Sequence, residues 1–257
     1  ILGGIPYYLQ TFSDKLSIKE NIKNSIFSDV SLLKEEPILL LKQEFREPAI
    51  YNSIIEAIAT GSSKFNEISQ KIKEESSKCA SYIKNLQEVR IINRLIPYGE
   101  SLNSKRSIYI LSDFFFRFWY KYVFANSTTL SLLGASKYTD LIYNDISQVL
   151  GLAFEEVCLQ YLTILARNNK LPFIPNGLGK WWGNNPQKKK QDDIDIMGVN
   201  GDKGIFCECK FKNEKFDLSE FNDLISASEI FTEIKEKYYY VIENKITGFI
   251  GLDHEHI

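Results

Sequence analysis

Histidine and cysteine are scarce in this chain, and their scarcity narrows the chemistry it can carry. Of 257 residues only two are histidine, His254 and His256, both in a polar C-terminal tail that reads as solvent-exposed. A zinc centre needs several nitrogen and sulfur donors at suitable spacing. The four cysteines do not supply them: Cys79 and Cys158 are scattered, and Cys207 and Cys209 alternate along a strand as core residues would. Nor do they form a disulfide framework, so a reducing cytoplasm is the expected setting.

Long uncharged apolar runs are also missing. The most apolar stretch, FFFRFWYKYVF from Phe114, is interrupted by Arg117 and Lys121 and is too short to span a bilayer, so no membrane association is expected. A strong excess of either charge is absent: the formal net charge is -2. Nucleic-acid binding would therefore depend on local basic patches. No G-x-x-x-x-G-K-[ST] string occurs. The nearest approach, ATGSSK from Ala59 to Lys64, has the wrong spacing and follows a helix, so this chain alone is not expected to bind or hydrolyse ATP. It opens on Ile1 in an already apolar segment, with no signal peptide, and reads as a piece of a longer protein.

What is present is an ordinary globular mix, 44% hydrophobic and 25% charged, long enough for two or three compact units. Residues 1–46 read as helical. Ser17 is placed to cap a helix through Ile18, Ile22 and Ile26, with Glu20 completing a capping box. A second helix follows Ser31, with Pro37 expected to interrupt it. Residues 47–112 give three short helices: Ile50 to Ile58 ended by Gly61, Lys64 to Ile72, and Ser76 to Val89. A strand from Ile91 and a return strand from Ser107 to Leu111 complete the winged-helix pattern, a helix-turn-helix variant. Residues 113–145 read as an aromatic-rich connector, and 146–257 as a final domain.

That last region holds the clearest chemistry. Its helix GLAFEEVCLQYLTILARN presents Leu150, Phe154, Val157, Cys158, Tyr161, Leu162 and Leu165 on one apolar face, with Glu155 at the border. Two strands follow, Asp193 to Val199 and Gly204 to Phe211, joined by a turn containing Asn200-Gly201. Alternation puts Asp193 with Asp195, and Glu208 with Lys210, while Cys207 and Cys209 face away from Glu208. If the two polar faces coincide, Asp195, Glu208 and Lys210 converge. Clustered carboxylates suit Mg²⁺, a hard cation that prefers oxygen donors. Such a metal can lower the pKa of a water and offset phosphate charge. A neighbouring lysine can orient or deprotonate that water, or neutralise the phosphate.

These residues resemble the PD-(D/E)XK nuclease superfamily. The resemblance implies a restriction-endonuclease-like α/β/α domain with a mixed sheet. It makes Asp195 the motif aspartate, Glu208 and Lys210 the acid-x-lysine pair, Glu155 the upstream helix glutamate, and the Cys209 main-chain carbonyl a further metal ligand. Asp193 is a reserve ligand. Ile194 stands where the superfamily's proline would be. The superfamily has many inactive members, so the fold alone does not make an enzyme.

The wider chain resembles the C-terminal portion of a family of archaeal and bacterial AAA-type ATPases. GGIPYYL, LLKEEPILLLKQEFREPAIYNSIIEAIATG, YIKNLQEVRIINRLIP, SDFFFRFWYKYVFAN, KWWG and IFCECKF follow in that order. This implies an α+β multi-domain chain: helical lid (1–46), winged helix (47–112), connector and nuclease-like domain, with the ATP-binding core in a missing N-terminal part. Arg90 departs from the family's glycine, and a left-handed residue there is strained by roughly 1 kcal/mol.

Candidate nucleic-acid contacts are Lys78, Ser81, Lys84 and Asn85 on the third helix, Arg94, Lys105 and Arg106 on the wing, and the run Lys188, Lys189 and Lys190 after Trp181-Trp182. Each also reads as solvated surface, and many winged helices bind proteins instead. Three functions stay open: the effector part of an ATPase-coupled Mg²⁺-dependent nuclease acting on DNA, a silent DNA-binding or regulatory module, and an oligomerisation portion of an ATPase acting on proteins.

Overall fold

A computed structural model describes residues 1–186, 188–211 and 217–244 of the chain. His254 and His256 lie outside the described residues. The described residues form a mixed α+β structure with ten α-helices, a two-stranded antiparallel sheet and a mixed four-stranded sheet. They divide into two compact units: Ile1–Leu95 with Ser107–Val149, and Ile96–Arg106 with Leu150–Ile257. The hairpin loop 96–106 thus belongs to the second unit.

Unit 1 is mainly helical. After the short α1 (Pro6–Leu9), α2 (Ile18–Ile22) starts at the Ser17–Glu20 capping box and widens into a π-turn at Lys23–Phe27. Ser31 caps a 3₁₀ turn, Leu32–Lys34, rather than a continuous helix. Pro37 then sits in the first turn of α3 (Glu36–Glu44), so it opens a helix instead of interrupting one. Proline is tolerated there because its missing N–H has no helical partner to lose. Helices α4 (Pro48–Ala59), α5 (Phe65–Ile72) and α6 (Ser76–Glu88) follow, then β1 (Ile92–Leu95) and β2 (Ile108–Leu111), which pair antiparallel. Arg90 takes the left-handed conformation at φ 59°, as the missing glycine implied.

The aromatic run expected to connect domains is instead core. It forms α7 (Phe114–Trp119), capped by Asp113, and a π-turn over Tyr120–Phe124. Phe115, Phe118, Trp119 and Tyr120 are fully buried. The polar atoms they carry inward are satisfied. Tyr120 donates to Asn52 Oδ1 at 2.6 Å, and Trp119 Nε1 donates to the Lys34 carbonyl at 2.9 Å. Helix α8 (Ser127–Ile142), kinked at Gly134, closes the unit.

Helix α9 (Ile146–Arg167) leads into unit 2. There β3 (Gly179–Asn185), β4 (Lys190–Asn200), β5 (Lys203–Lys210) and β6 (Glu236–Glu243) lie in sequence order. The first three are antiparallel, and β6 runs parallel to β5 after a crossover through α10 (Leu218–Ser228). The sheet lies between two helices. On one side Cys158 and Leu162 of α9 pack on Ile196 and Cys207. On the other, Phe221, Leu224 and Ala227 of α10 pack on Ile194, Met197 and Phe206. Val157, expected on the apolar face of α9, is 56% exposed. Among the described residues one helical stretch, Val149–Arg167, has the length and mean hydropathy (1.5) of a membrane span.

Candidate carboxylate site

The site is set by a break in the sheet. Asn200 pairs with Lys203, leaving Gly201 at φ 60° as the first residue of a two-residue turn, the position a II′ hairpin gives to glycine. From that turn the β4–β5 register runs to Ile196↔Cys207 and stops. Across the other edge of β4, the β3 register slips between Gly179↔Met197 and Trp181↔Ile194, so Lys180 faces a strand carrying one extra residue. Such a bulge re-aims side chains. It also explains why Ile194 and Ile196 pack on opposite sides of the sheet.

Asp195 lies in this break. Its Oδ2 accepts the Cys209 amide at 2.9 Å, beyond the last paired residues of β4 and β5. Its Oδ1 lies 3.1 Å from Lys180 Nζ. The same ammonium lies 2.9 Å from Glu155 Oε2 of α9 and 3.5 Å from Asp193 Oδ2. On β5, Glu208 and Lys210 alternate with Cys207 and so follow Phe206 onto the α10 side. Lys210 Nζ is 2.6 Å from Glu208 Oε1 and 3.6 Å from Glu220 Oε1 of α10.

The ion pairs form two groups, Glu155–Lys180–Asp195 toward α9 and Glu208–Lys210–Glu220 toward α10, with Asp195 acting on the charges of both Glu208 and Lys210. They still sense each other. Burial first, and the charge of Asp195 second, push the Glu208 carboxyl up to about 7. Burial also raises Glu155, with Lys180 opposing and Asp195 adding to the rise. Burial works against the Lys180 ammonium, yet Asp195 and Glu155 together raise its pKa. Burial works against the Lys210 ammonium too, yet the bond to Glu208 and the charges of Glu208, Glu220 and Asp195 together raise its pKa, so it is held cationic. That disfavours it as a proton acceptor and leaves it suited to orienting a water or offsetting anionic charge.

The donors are hard oxygens of the kind Mg²⁺ takes, and the Lys180 ammonium already stands in as a cation between two of them. As arranged, however, no three His, Cys, Asp or Glu side chains among the described residues could hold a metal ion. The physical reason is the interleaving: each lysine occupies oxygens that a metal would share. Cys207 is buried beside Cys158, consistent with packing, and burial raises its thiol pKa.

The basic residues are distributed unevenly. Lys78, Ser81 and Lys84 are exposed on α6, Lys84 near Glu88 at 3.8 Å, whereas Asn85 donates to the Tyr51 hydroxyl at 2.7 Å. Arg94 is exposed on β1 in unit 1, but Lys105 and Arg106 belong to unit 2. Arg106 pairs with Glu100 and donates to the Trp182 carbonyl at 3.3 Å. Lys188 is drawn inward, 3.2 Å from Asp192 and 3.7 Å from Asp223, and Lys190 is 4.0 Å from Asp192. Lys189 is exposed. Trp181 is buried in the core with Phe206.

Sequence reasoning missed Lys180. KWWG was legible only as part of a resemblance, and nothing local marks its lysine as facing carboxylates. A strand drawn through Trp181 and Trp182, paired with β4, was the available signal.

Residues 119–222 match the profile of a family described as archaeal and bacterial proteins of unknown function, DUF234. An uncharacterized protein of Methanocaldococcus jannaschii is 35% identical over 249 residues, covering 95% of this chain and 54% of that protein. The chain thus spans about half the length of the curated relative it matches. No solved structure matches it.

Proposed function

We propose that unit 2 is a nuclease-like domain of the PD-(D/E)XK type that hydrolyses phosphodiesters with a divalent cation. In this reading the chain is the effector part of a longer AAA-type ATPase, and the three helices and hairpin of residues 47–112 are a winged helix. One observation carries it: Asp195 sits in the gap where β4 and β5 part, held by the Cys209 amide, between Glu155 on one side and Glu208–Lys210 on the other.

Glu155, Asp195, Glu208 and the Cys209 carbonyl would hold the cation only after Lys180 leaves the Glu155 and Asp195 oxygens and the carboxylates draw together. When bound, Mg²⁺ supplies acidification of a water and charge neutralisation on the phosphate. The protein's own groups supply the rest. The Cys209 amide fixes the Asp195 carboxylate, so the donor is oriented in advance. Lys210, kept cationic by Glu208, orients water and offsets the phosphate charge.

A second reading has an observation of its own. Lys180 and Lys210 already neutralise the carboxylates, which favours a silent, nucleic-acid-binding or regulatory module. Calorimetric titration with Mg²⁺ tests the hydrolytic reading. It expects binding that Asp195→Ala removes. Absence of Mg²⁺ and Mn²⁺ binding, with Asp195→Ala unchanged, would sink it.

A further inference from the structure

Lys180 is placed by backbone features that do not depend on its side chain. Its carbonyl accepts the Tyr98 amide at 2.8 Å, Trp181 beside it is buried, and the register slip falls at this residue. The bulge thus aims the side chain at the carboxylates while the backbone stays pinned. The ammonium then reaches Glu155 Oε2 at 2.9 Å and Asp195 Oδ1 at 3.1 Å, with Asp193 Oδ2 at 3.5 Å. The side chains of Lys180, Glu155 and Asp195 are 27%, 25% and 11% exposed, so water screens these contacts only partly.

We propose that Lys180 is the resident cation of the site: it occupies the Glu155 and Asp195 oxygens that a divalent ion would need, and metal loads only as the ammonium withdraws. The inference rests on the reading of unit 2 as a metal-dependent site and adds the residue that gates it. The ammonium lies on the very oxygens Glu155 Oε2 and Asp195 Oδ1, and a divalent ion brought to them would repel it where water is thinned and screening is weak. A lysine suits the exchange. Its charge is compact, and its four-carbon stem rotates about a fixed backbone, so it can leave without unfolding the strand. Lys180 is thereby a positioning residue: in the metal-free protein it keeps Glu155 and Asp195 together against their mutual repulsion.

The test is a calorimetric titration of the whole chain with Mn²⁺, comparing wild type with Lys180→Met and Lys180→Arg. Removing a positive charge in contact with the site is expected to tighten Mn²⁺ binding by at least about tenfold in Lys180→Met, whereas Lys180→Arg binds no more tightly than wild type. Equal or weaker binding by a folded Lys180→Met protein overturns the inference and leaves the hydrolytic reading standing. Binding by Lys180→Met alone supports the inference and turns the wild-type site toward the silent reading. Failure of every protein to bind sinks both. Should Lys180→Met not fold, acylation of wild-type amines with acetic anhydride, read by mass spectrometry, decides. Lys180 is expected to be protected without Mn²⁺ and several-fold more reactive at saturation. Unchanged reactivity with Mn²⁺ bound overturns the gate.

Discussion

The Cys209 amide donates to Asp195 Oδ2 at 2.9 Å, so a carboxylate takes over an amide just past the last β4–β5 pair. The strand opening and the placement of the acid are one event. Asparagine retains an acceptor for that amide but loses the charge, whereas alanine loses both. Asp195→Ala is therefore expected to lower stability by roughly 1–3 kcal/mol in urea unfolding, and Asp195→Asn by less. Both are expected to weaken divalent-cation binding by at least about 100-fold. Equal stability losses in the two variants would contradict the role given to the amide.

Stability should depend on pH through Glu208. Its carboxyl ordinarily titrates near 4.5 and is raised here to about 7. Between those values the unfolded chain has released a proton that the folded chain retains. Rising pH therefore favours the unfolded state. The group's contribution falls from about pH 4.5 to about pH 7 and then levels, by at most roughly 3 kcal/mol. Glu155, raised by burial, adds a slope of the same sign. Urea midpoints across this range should show the decline, and Glu208→Gln should flatten it. A rising stability over the same interval would refute the assignment.

In unit 1 the Tyr120 hydroxyl and Asn52 Oδ1 form a buried pair at 2.6 Å. Tyr120→Phe keeps the ring and leaves the amide oxygen without its donor. Equilibrium unfolding is expected to show a loss of roughly 1–3 kcal/mol. A change under about 0.5 kcal/mol would mean water replaces the hydroxyl.

The lysine run should not act as a unit. Lys188 is committed to Asp192, while Lys189 is exposed and Lys190 lies at the edge of contact with the same acid. Reversing Lys189 and Lys190 to glutamate is expected to weaken low-salt DNA binding and shallow its salt dependence by about one to two units of slope. Lys188→Met is expected to affect stability more than DNA affinity. Filter-binding or anisotropy titrations over a salt series, with thermal melts, separate the two.

How much of this was legible beforehand differs by element. The Ser17–Glu20 cap and the hairpin at Asn200-Gly201 were readable because each depends on adjacent residues, whereas the left-handed Arg90 was implied only by the family resemblance. The three helices and hairpin of residues 48–111 were readable from apolar spacing and punctuation. Pro37 was misplaced because a proline that breaks a helix and one that starts it look alike without the register. The run from Phe114 resembled a linker by position, and only burial shows it as core. In the site, the identities of Glu155, Asp195, Glu208 and Lys210 were legible, but the way they meet was not. Simple alternation predicts a shared polar face; the register slip opposite Lys180 and the parting of β4 from β5 are tertiary features with no local signature.

The most direct test is strand scission. The chain, in excess over end-labelled duplex, single-stranded and branched DNA and over RNA, is incubated with Mg²⁺ or with a chelator, and products are resolved by length. The account predicts Mg²⁺-dependent cleavage of at least one substrate, lost with chelator and slowed at least about 100-fold by Asp195→Asn or Lys210→Ala. No scission of any substrate, or scission that persists in those variants, would contradict it.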